Sequence, residues 1–422
     1  LFYSFCFEIP FLIMHWKIDS SLQVVIVGLG YVGLPTAVAF SKKYKTTGVD
    51  VNNRRIDELK KGVDSKTNFS SEQLSNNLDL IFQKRLPHFE EQTVFIVTVP
   101  TPVTGNKEPD LSFLNKASNE IALVLKKGDL VIYESTTFPG CTEEVCVPIL
   151  ESVSKLKLNI DFGVGYSPER YSPGETKSIE SIVRVTSGSS PEVAKMVDSL
   201  YSSIMVVETY LAPSIKVAEA AKLVENCQRD VNISFVNELA LIFDKMGIET
   251  NEVLNAAKTK WNFLDFKPGL VGGHCISVDP YYMIHKANAL GYNPKLIGAG
   301  REVNEEMGKF AAHKAMKIIV SKGLNLIGLR ILVLGFAYKE NCSDFRNTKA
   351  LDLINELKDF GALVSVYDPL VDKKSVLNET GIEILENVEL ETYAVTIVAV
   401  DHIEFKQLNI DKRSLFNVHL FA

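Results

Sequence analysis

Val24-Val25-Ile26-Val27-Gly28-Leu29-Gly30-Tyr31-Val32-Gly33 is the stretch whose reading decides the fold. Its β-branched run reads as a buried strand, and the glycines that follow open a helix. In such a turn Gly28 permits the tight reversal, and Gly30 lets the backbone, with Tyr31 and Val32, approach a pyrophosphate. Gly33 then lets the helix pack closely on the strand. Free N–H groups at the helix N-terminus favour the phosphate charge. A glycine turn alone is weak evidence, because many surface loops contain one. Here it lies between strand and helix, and a second strand pattern, YKTTGVD, ends at Asp50, 20 residues after Gly30. A carboxylate there accepts hydrogen bonds from the adenosine ribose hydroxyls and repels a 2′-phosphate, which points to NAD. Arg55 pulls the other way, since an Arg near this position can hold a 2′-phosphate.

Outward from this turn the chain repeats strand, turn and helix. QVVIVG, YKTTGVD, TVFIVTVP, DLVIYEST and IDFGVGYS are short and β-branched, and the segments between them are polar and periodic. That alternation predicts a parallel sheet with helices on both faces. After Ala212-Pro213-Ser214 it gives way to a long helix, with Val217, Ala221, Val224, Val231, Phe235, Leu239, Ile242 and Met246 mostly three and four residues apart. Ser214 is its N-cap and Gly247 its end. More helices run to about Ser321, interrupted from Lys267 to Gly273. Gly323 and Gly328 mark a linker, then LRILVLGF, a helix from about Arg346, and ALVSVYDP restart the pattern. The fold class is therefore α/β: two Rossmann-like doubly wound domains, 22–212 and 322–422, joined by a central helical segment, 213–321. The chain stops at SLFNVHLFA, where a last strand would be forming, so the second domain is expected to be incomplete at its end.

Composition narrows the partners. With 422 residues, 45 Lys+Arg against 52 Asp+Glu and a net charge of −7, the chain has the size of two to three domains and no basic block for nucleic acid or an anionic membrane. Six cysteines without a CxxC pair make neither a disulfide framework nor a zinc site, so no metal is expected and a reducing cytoplasm fits best. Residues 1–21 begin with LFYSFCFEIPFLI, broken by Glu8 and Pro10 and too short to span a bilayer. They read as an extension outside the fold, with Met14 a plausible start.

Ligands of such sheets bind beyond the carboxyl ends of the strands. Those ends carry Thr98 and Thr101 in VTVPTP, Ser135-Thr136 in ESTTFPG, and Glu169 in YSPERYSPG. Any one of them is as readily explained as loop polarity. Further on, Gly272-Gly273-His274-Cys275 brings a thiol to a position that backbone and ligand can approach closely, and Asp279 follows four residues later. A single Cys is usually a small buried hydrophobe, so a nucleophile needs supporting groups. Lys222 and Asn226, at i,i+4 on the long helix, could supply them, although a helical Lys is ordinarily solvated.

GLGYVGLP, VPTP, ESTTFPG, SPER, KVAEAAKLVEN, GGHC with its following Asp, and GFAYKENCSDFRNT stand here in the order found in the UDP-glucose/GDP-mannose dehydrogenase family. From Leu22 onward the chain resembles that family, and most closely its bacterial UDP-N-acetylhexosamine 6-dehydrogenases, to judge by His274 before the cysteine and by SPER. The resemblance implies oxidation of the sugar C6 alcohol to a carboxylate with two NAD+, for surface polysaccharide synthesis. It makes Cys275 the nucleophile that holds the aldehyde as a thiohemiacetal and then a thioester. Lys222 and Asn226 become stabilisers of negative charge on the substrate oxygen, and Asp279 a proton-transfer partner of Lys222. Glu169 becomes the acid assisting hydrolysis, and Thr136 holds water or nicotinamide. Lys339 and Gly272 fall on the UDP-sugar side and Arg346 on the cofactor side. Val278 replaces a Lys of many UDP-glucose enzymes, and Thr259-Lys260 stand where those enzymes supply an Arg across a dimer. Arg301 is the candidate to take over substrate binding. A homodimer is suggested by the long apolar helix.

Three other readings stay open at this point. One is a UDP-glucose 6-dehydrogenase using the same mechanism. Another is a two-electron dehydrogenase of the 6-phosphogluconate or 3-hydroxyacid type, which needs no thiol. The third is a non-catalytic NAD-sensing protein with an inert Cys275.

Overall fold

The computed structural model describes residues 18–19, 21–64, 69–75, 79–171 and 178–408, and the backbone of 415–417. The chain forms two compact units, one holding the described residues to Thr104 together with Pro109–Lys222, the other Gly105–Glu108 and the chain from Leu223 onward.

In the first unit the strands are β1 (Gln23–Val27), β2 (Lys45–Val49), β3 (Leu80–Gln83), β4 (Thr93–Val97), β5 (Leu130–Tyr133), β6 (Gly163–Tyr166), β7 (Val185–Gly188) and β8 (Tyr210–Leu211). They form one sheet in the order β3-β2-β1-β4-β5-β6-β7-β8. The first six reproduce the 3-2-1-4-5-6 order of dinucleotide-binding sheets. β1 and β4 are buried along their whole length, because helices cover both faces. Helix α1 (Gly33–Ser41) is buried throughout: its small residues Ala37 and Ala39 let Leu34 and Phe40 press onto the sheet. The other helices of this unit are α2 (Asn53–Lys60), α3 (Ser71–Ser75), α4 (Ser112–Ala122), α5 (Val147–Ser154) and α6 (Pro191–Ser202).

Five strands expected from the sequence appear as β1, β2, β4, β5 and β6. The sheet is not purely parallel, however, because β7 runs antiparallel to β6. β3 is four residues long and buries only Phe82, and β8 is two exposed residues, so neither carries the long buried run of the strands read from the sequence. Ile18 packs against the core of this unit, so the fold begins within the stretch expected to lie outside it. Residues 1–17, and Met14 with them, lie outside the described residues.

Helix α7 (Ile215–Met246) is one continuous helix of 32 residues. The Ser214 hydroxyl accepts from Val217 N at 3.3 Å, and Gly247 ends the helix at φ +68°. The second unit continues with α8 (Thr250–Ala257), α9 (Asp279–Ala289) and α10 (Lys295–Ser321). Then come β9 (Arg330–Leu334), α11 (Ala350–Asp359), β10 (Leu363–Tyr367), α12 (Lys373–Thr380), β11 (Val395–Val398) and β12 (Leu415–Asn417). These four strands form a parallel sheet in the order β10-β9-β11-β12, so a last strand does pair near the C-terminus. Helix α11 begins four residues later than Arg346, because Phe345–Thr348 is a turn: Thr348 N donates to the Phe345 carbonyl at 3.1 Å, Asn347 has φ +52° and the Arg346 guanidinium folds back onto Asp344. Among the described residues no helix is long and apolar enough to cross a membrane.

Candidate active site

The glycine turn is built as a cradle. Gly28 takes φ +98°, and a Cβ on Gly33 would lie 1.8 Å from the Gly28 carbonyl oxygen, so α1 cannot approach β1 with any side chain there. A Cβ on Gly30 would meet nothing within 4 Å, leaving open space beside the backbone where a pyrophosphate would lie. Asp50 accepts the Leu29 N–H through Oδ2 at 2.8 Å and the Asn52 N–H through Oδ1 at 2.8 Å, and it remains half-buried at the strand end. These residues fit a dinucleotide.

Arg55 has a different task from the one considered for it. It is 2% exposed, donates from Nε to the Leu29 carbonyl at 3.0 Å, and pairs with Asp64 at 2.8 Å. It braces the glycine turn from behind, and its charge is already matched. Thr98 and Ser135 are likewise turned inward. The Thr98 hydroxyl donates to the Gly28 carbonyl at 2.7 Å, and that of Ser135 to the Val99 carbonyl at 2.7 Å. Thr101 and Thr136 are half-buried at the ends of the same two strand-loop junctions.

Glu169 belongs to a buried charge cluster that the sequence does not announce. Its Oε1 accepts the Arg170 and Tyr171 amides at 2.7 and 2.5 Å, and its Oε2 pairs with Arg184. Arg184 also pairs with Glu134, which accepts from the Tyr201 hydroxyl at 2.5 Å. The guanidinium carbon lies 4.9 Å from the centre of the Tyr201 ring. Burial pushes the Glu134 carboxyl up, and Arg184 opposes that shift. One buried cation thus holds two carboxylates, and removing it would leave both uncompensated. The signal available in the sequence was a lone Arg inside the β-branched run SIVRVTSG.

In the second unit, Cys275 is half-buried in the turn that enters α9. The Cys275 carbonyl accepts the Val278 and Asp279 amides at 3.1 and 2.9 Å, so Asp279 stands one turn from the thiol. Asp279 is 2% exposed and its Oδ2 accepts from the Asn226 side-chain amide, whose oxygen in turn accepts from Arg229. Lys222 stands one turn before Asn226 on α7 and is half-buried.

The glycines before the thiol are needed for packing. Gly273 takes φ +85°, and a Cβ there would come within 2.8 Å of the Tyr338 ring; one on Gly272 would lie 2.8 Å from the Asn347 carbonyl. Asn347 donates to the Gly273 carbonyl at 3.0 Å, and Gly273 N donates to the Arg346 carbonyl at 3.1 Å. His274 Nδ1 lies 3.4 Å from Asp344, and Arg346 bonds the same carboxylate. Burial alone would raise the Asp344 carboxyl; His274 and Arg346 outweigh it and hold it well below the ordinary carboxylate range. Lys339 reaches over the Tyr338 ring at 5.7 Å. Arg301 is 2% exposed, with Asp230 and Glu305 on its guanidinium and the Tyr281 ring at 5.6 Å, so a substrate would have to compete with those partners. Among the described residues no group of His, Cys, Asp and Glu is placed to hold a metal ion.

Three family models match the chain in succession: the NAD binding domain of the UDP-glucose/GDP-mannose dehydrogenase family over residues 22–205, its central domain over 216–306, and its UDP binding domain over 332–417. The chain belongs to the UDP-glucose/GDP-mannose dehydrogenase family. It is an NAD-dependent nucleotide-sugar dehydrogenase, and its substrate is a UDP-sugar. Family membership sets aside the two-electron hydroxyacid-type reading. The chain is 50% identical over 390 residues to the UDP-N-acetyl-D-glucosamine 6-dehydrogenase of Pseudomonas aeruginosa, covering 92% of each chain. It is 49% identical, over the same shares, to the enzyme of that name from Salmonella typhi. A solved UDP-D-ManNAc dehydrogenase from Pyrococcus horikoshii superposes with a TM-score of 0.84 at 32% identity, covering 93% of each chain.

Proposed function

We propose that this member of the family oxidises the C6 hydroxyl of UDP-N-acetylglucosamine to the uronate, with Cys275 as the covalent nucleophile. The observation that carries the mechanism is the thiol turn: Cys275 is half-buried, not sealed in the core, one turn before an Asp279 that is bonded to Asn226. The sugar is carried by the names of the relatives near 50% identity.

NAD+, when bound at the glycine turn, supplies the hydride acceptor, needed twice because alcohol to acid is a four-electron change. Gly28, Gly30, Tyr31, Val32 and Gly33 receive the pyrophosphate and Asp50 the ribose, and Thr101, Thr136 and Arg346 are the further cofactor residues that the family resemblance implies. Lys222 stabilises the substrate oxygen as its proton leaves and charge builds on it, with Asn226 beside it. The Cys275 sulfur then adds to the aldehyde carbon, and the thiol proton passes to the carbonyl oxygen, giving a thiohemiacetal. That carbon stays at the aldehyde oxidation level but again carries a hydroxyl and a hydrogen, and loss of the hydroxyl proton and of that hydrogen as hydride leaves a thioester. Glu169, held by Arg184, assists a water that adds to the thioester carbon; the C–S bond breaks and the thiol regains its proton. Asp279 takes and returns protons through Lys222. Lys339, Gly272 and Arg301 belong to the substrate side.

The reading extends to a homodimer, to the cytoplasm, and to surface polysaccharide synthesis as the use of the product. The division into 22–212, 213–321 and 322–422 belongs to the same reading. In support of the dimer, Val217, Val224, Phe235, Ile242 and Met246 of α7 are between 43% and 61% exposed, an apolar stripe that no described residue covers. Assaying NADH release against a panel of UDP-sugars tests the substrate. UDP-N-acetylglucosamine should give the highest kcat/KM, and better turnover of UDP-glucose would overturn the substrate assignment while leaving the chemistry standing.

A further inference from the structure

The two sheets use the acid at the end of their second strand in different ways. Asp50 follows β2, is half-buried, and gives two backbone amides its oxygens. Asp368 follows β10 in the corresponding place and is fully buried. Its Oδ2 accepts the amides of Phe336 and Ala337 at 2.7 and 2.9 Å and faces His402 Nε2 at 3.0 Å; its Oδ1 accepts the Leu370 amide at 2.8 Å. Nothing of this carboxylate is left for a ribose.

His402 continues the chain of contacts. It is fully buried, and its Nδ1 faces the Asn341 backbone N at 2.9 Å. An amide N–H can only donate, so Nδ1 carries the lone pair, and the ring proton sits on Nε2 and goes to Asp368. Asn341 has φ +55°, and its side-chain oxygen accepts the Ile403 amide at 2.9 Å, which locks the pairing from the other side. Together these contacts tie down the loop that leaves β9 both at its start, Phe336-Ala337, and at Asn341. Lys339 lies between those two anchors.

We propose that His402 is a positioning residue for the UDP-sugar: it fixes the Lys339-bearing loop through Asn341 and withdraws Asp368 from ligand binding. The inference rests on the function proposed above only in assigning Lys339 to the substrate side. His402 touches no reacting atom in this account; it acts through backbone. Replacing it with an apolar side chain takes the acceptor from the part-buried Asn341 amide and leaves one lone pair of the buried Asp368 unpaired, and the loop regains freedom that UDP binding must then remove.

The test uses the full chain with UDP itself as the probe. In His402→Leu the Kd for UDP should rise on the order of tenfold, while the Kd for NAD+ stays within about twofold. KM for the UDP-sugar should rise with kcat changed far less. His402→Gln, whose Oε1 can accept from Asn341 and whose Nε2 can donate to Asp368, should recover most of the loss. Equal UDP affinity in wild type and His402→Leu would overturn the proposal. Should the leucine variant fail to fold, nitrogen NMR on the wild-type protein still decides. An imidazole with bare Nδ1 and protonated Nε2, absent from His402→Gln, is expected, and a proton on Nδ1 would refute the anchor. A wild-type protein that binds no UDP would refute the substrate assignment, leaving the tautomer to decide the loop.

Discussion

Gly30 and Gly33 are three residues apart in one motif, yet they answer to different demands. A Cβ on Gly33 would overlap the Gly28 carbonyl, and backbone cannot move aside as a flexible side chain would. Gly33→Ala should therefore lose about 3 kcal/mol or more of stability, visible as a lowered Tm even without cofactor. Gly30→Ala meets no atom of the chain, so its Tm should stay within the roughly 0.5 kcal/mol typical of surface changes, while NAD+ affinity falls by roughly tenfold or more. Calorimetry with and without NAD+ separates the two. A destabilised Gly30→Ala, or one that binds NAD+ normally, would remove the pyrophosphate from that place. At this scale the sequence was legible where a residue type has few uses. Glycines at fixed spacing told where the backbone turns and where helix meets strand; hydroxyls told less, since Thr98 and Ser135 turned out to bond backbone. Arg55 could not be placed either, because its partner Asp64 is nine residues away and on no shared motif.

Helix α7 shows how much an element hides from its own sequence. Its period, its cap at Ser214 and its end at Gly247 were all readable. Which stripe would be covered was not, because the apolar residues Val217, Val224 and Phe235 stay exposed while Glu219, Asn226 and Asp230 are buried. Glu219 looks like any solvated helical acid, and only the fold brings it to the Gly140 and Thr142 amides, which donate to its two oxygens at 2.5 and 2.9 Å. Those amides open the helical run that leads into α5, so Glu219 caps it from another helix. Burial pushes its carboxyl up to about 7 despite the two amides, with Glu143 adding a smaller push. Glu144 and Lys216 also stand at this turn. The folded chain then holds a proton that the unfolded chain has already released between about pH 4.5 and pH 7, so this group's contribution falls as pH rises through that window. Glu219→Gln should flatten the stability-against-pH curve there by about 3 kcal/mol, measured by denaturant unfolding at several pH values. An unchanged slope would mean that Glu219 titrates as an ordinary surface acid.

At the scale of the whole molecule, the α/β alternation was legible because buried parallel strands are written as apolar runs that few other structures produce. The antiparallel β7 and the short edge strands were not, since strand direction leaves no mark in a four-residue run and an edge strand needs no long apolar one. Chemistry divided in the same way. Cys275 and its glycines stand together in the chain, whereas the Arg184 cluster draws on three separate strand ends. One thiol carries the sugar between two oxidations, and the number of NADH released per sugar consumed decides whether it does. Two NADH per sugar are expected from the wild type with no free aldehyde accumulating, and Cys275→Ala should bind NAD+ yet make no uronate. One NADH per sugar, or acid formed at a near-normal rate by Cys275→Ala, would contradict the account.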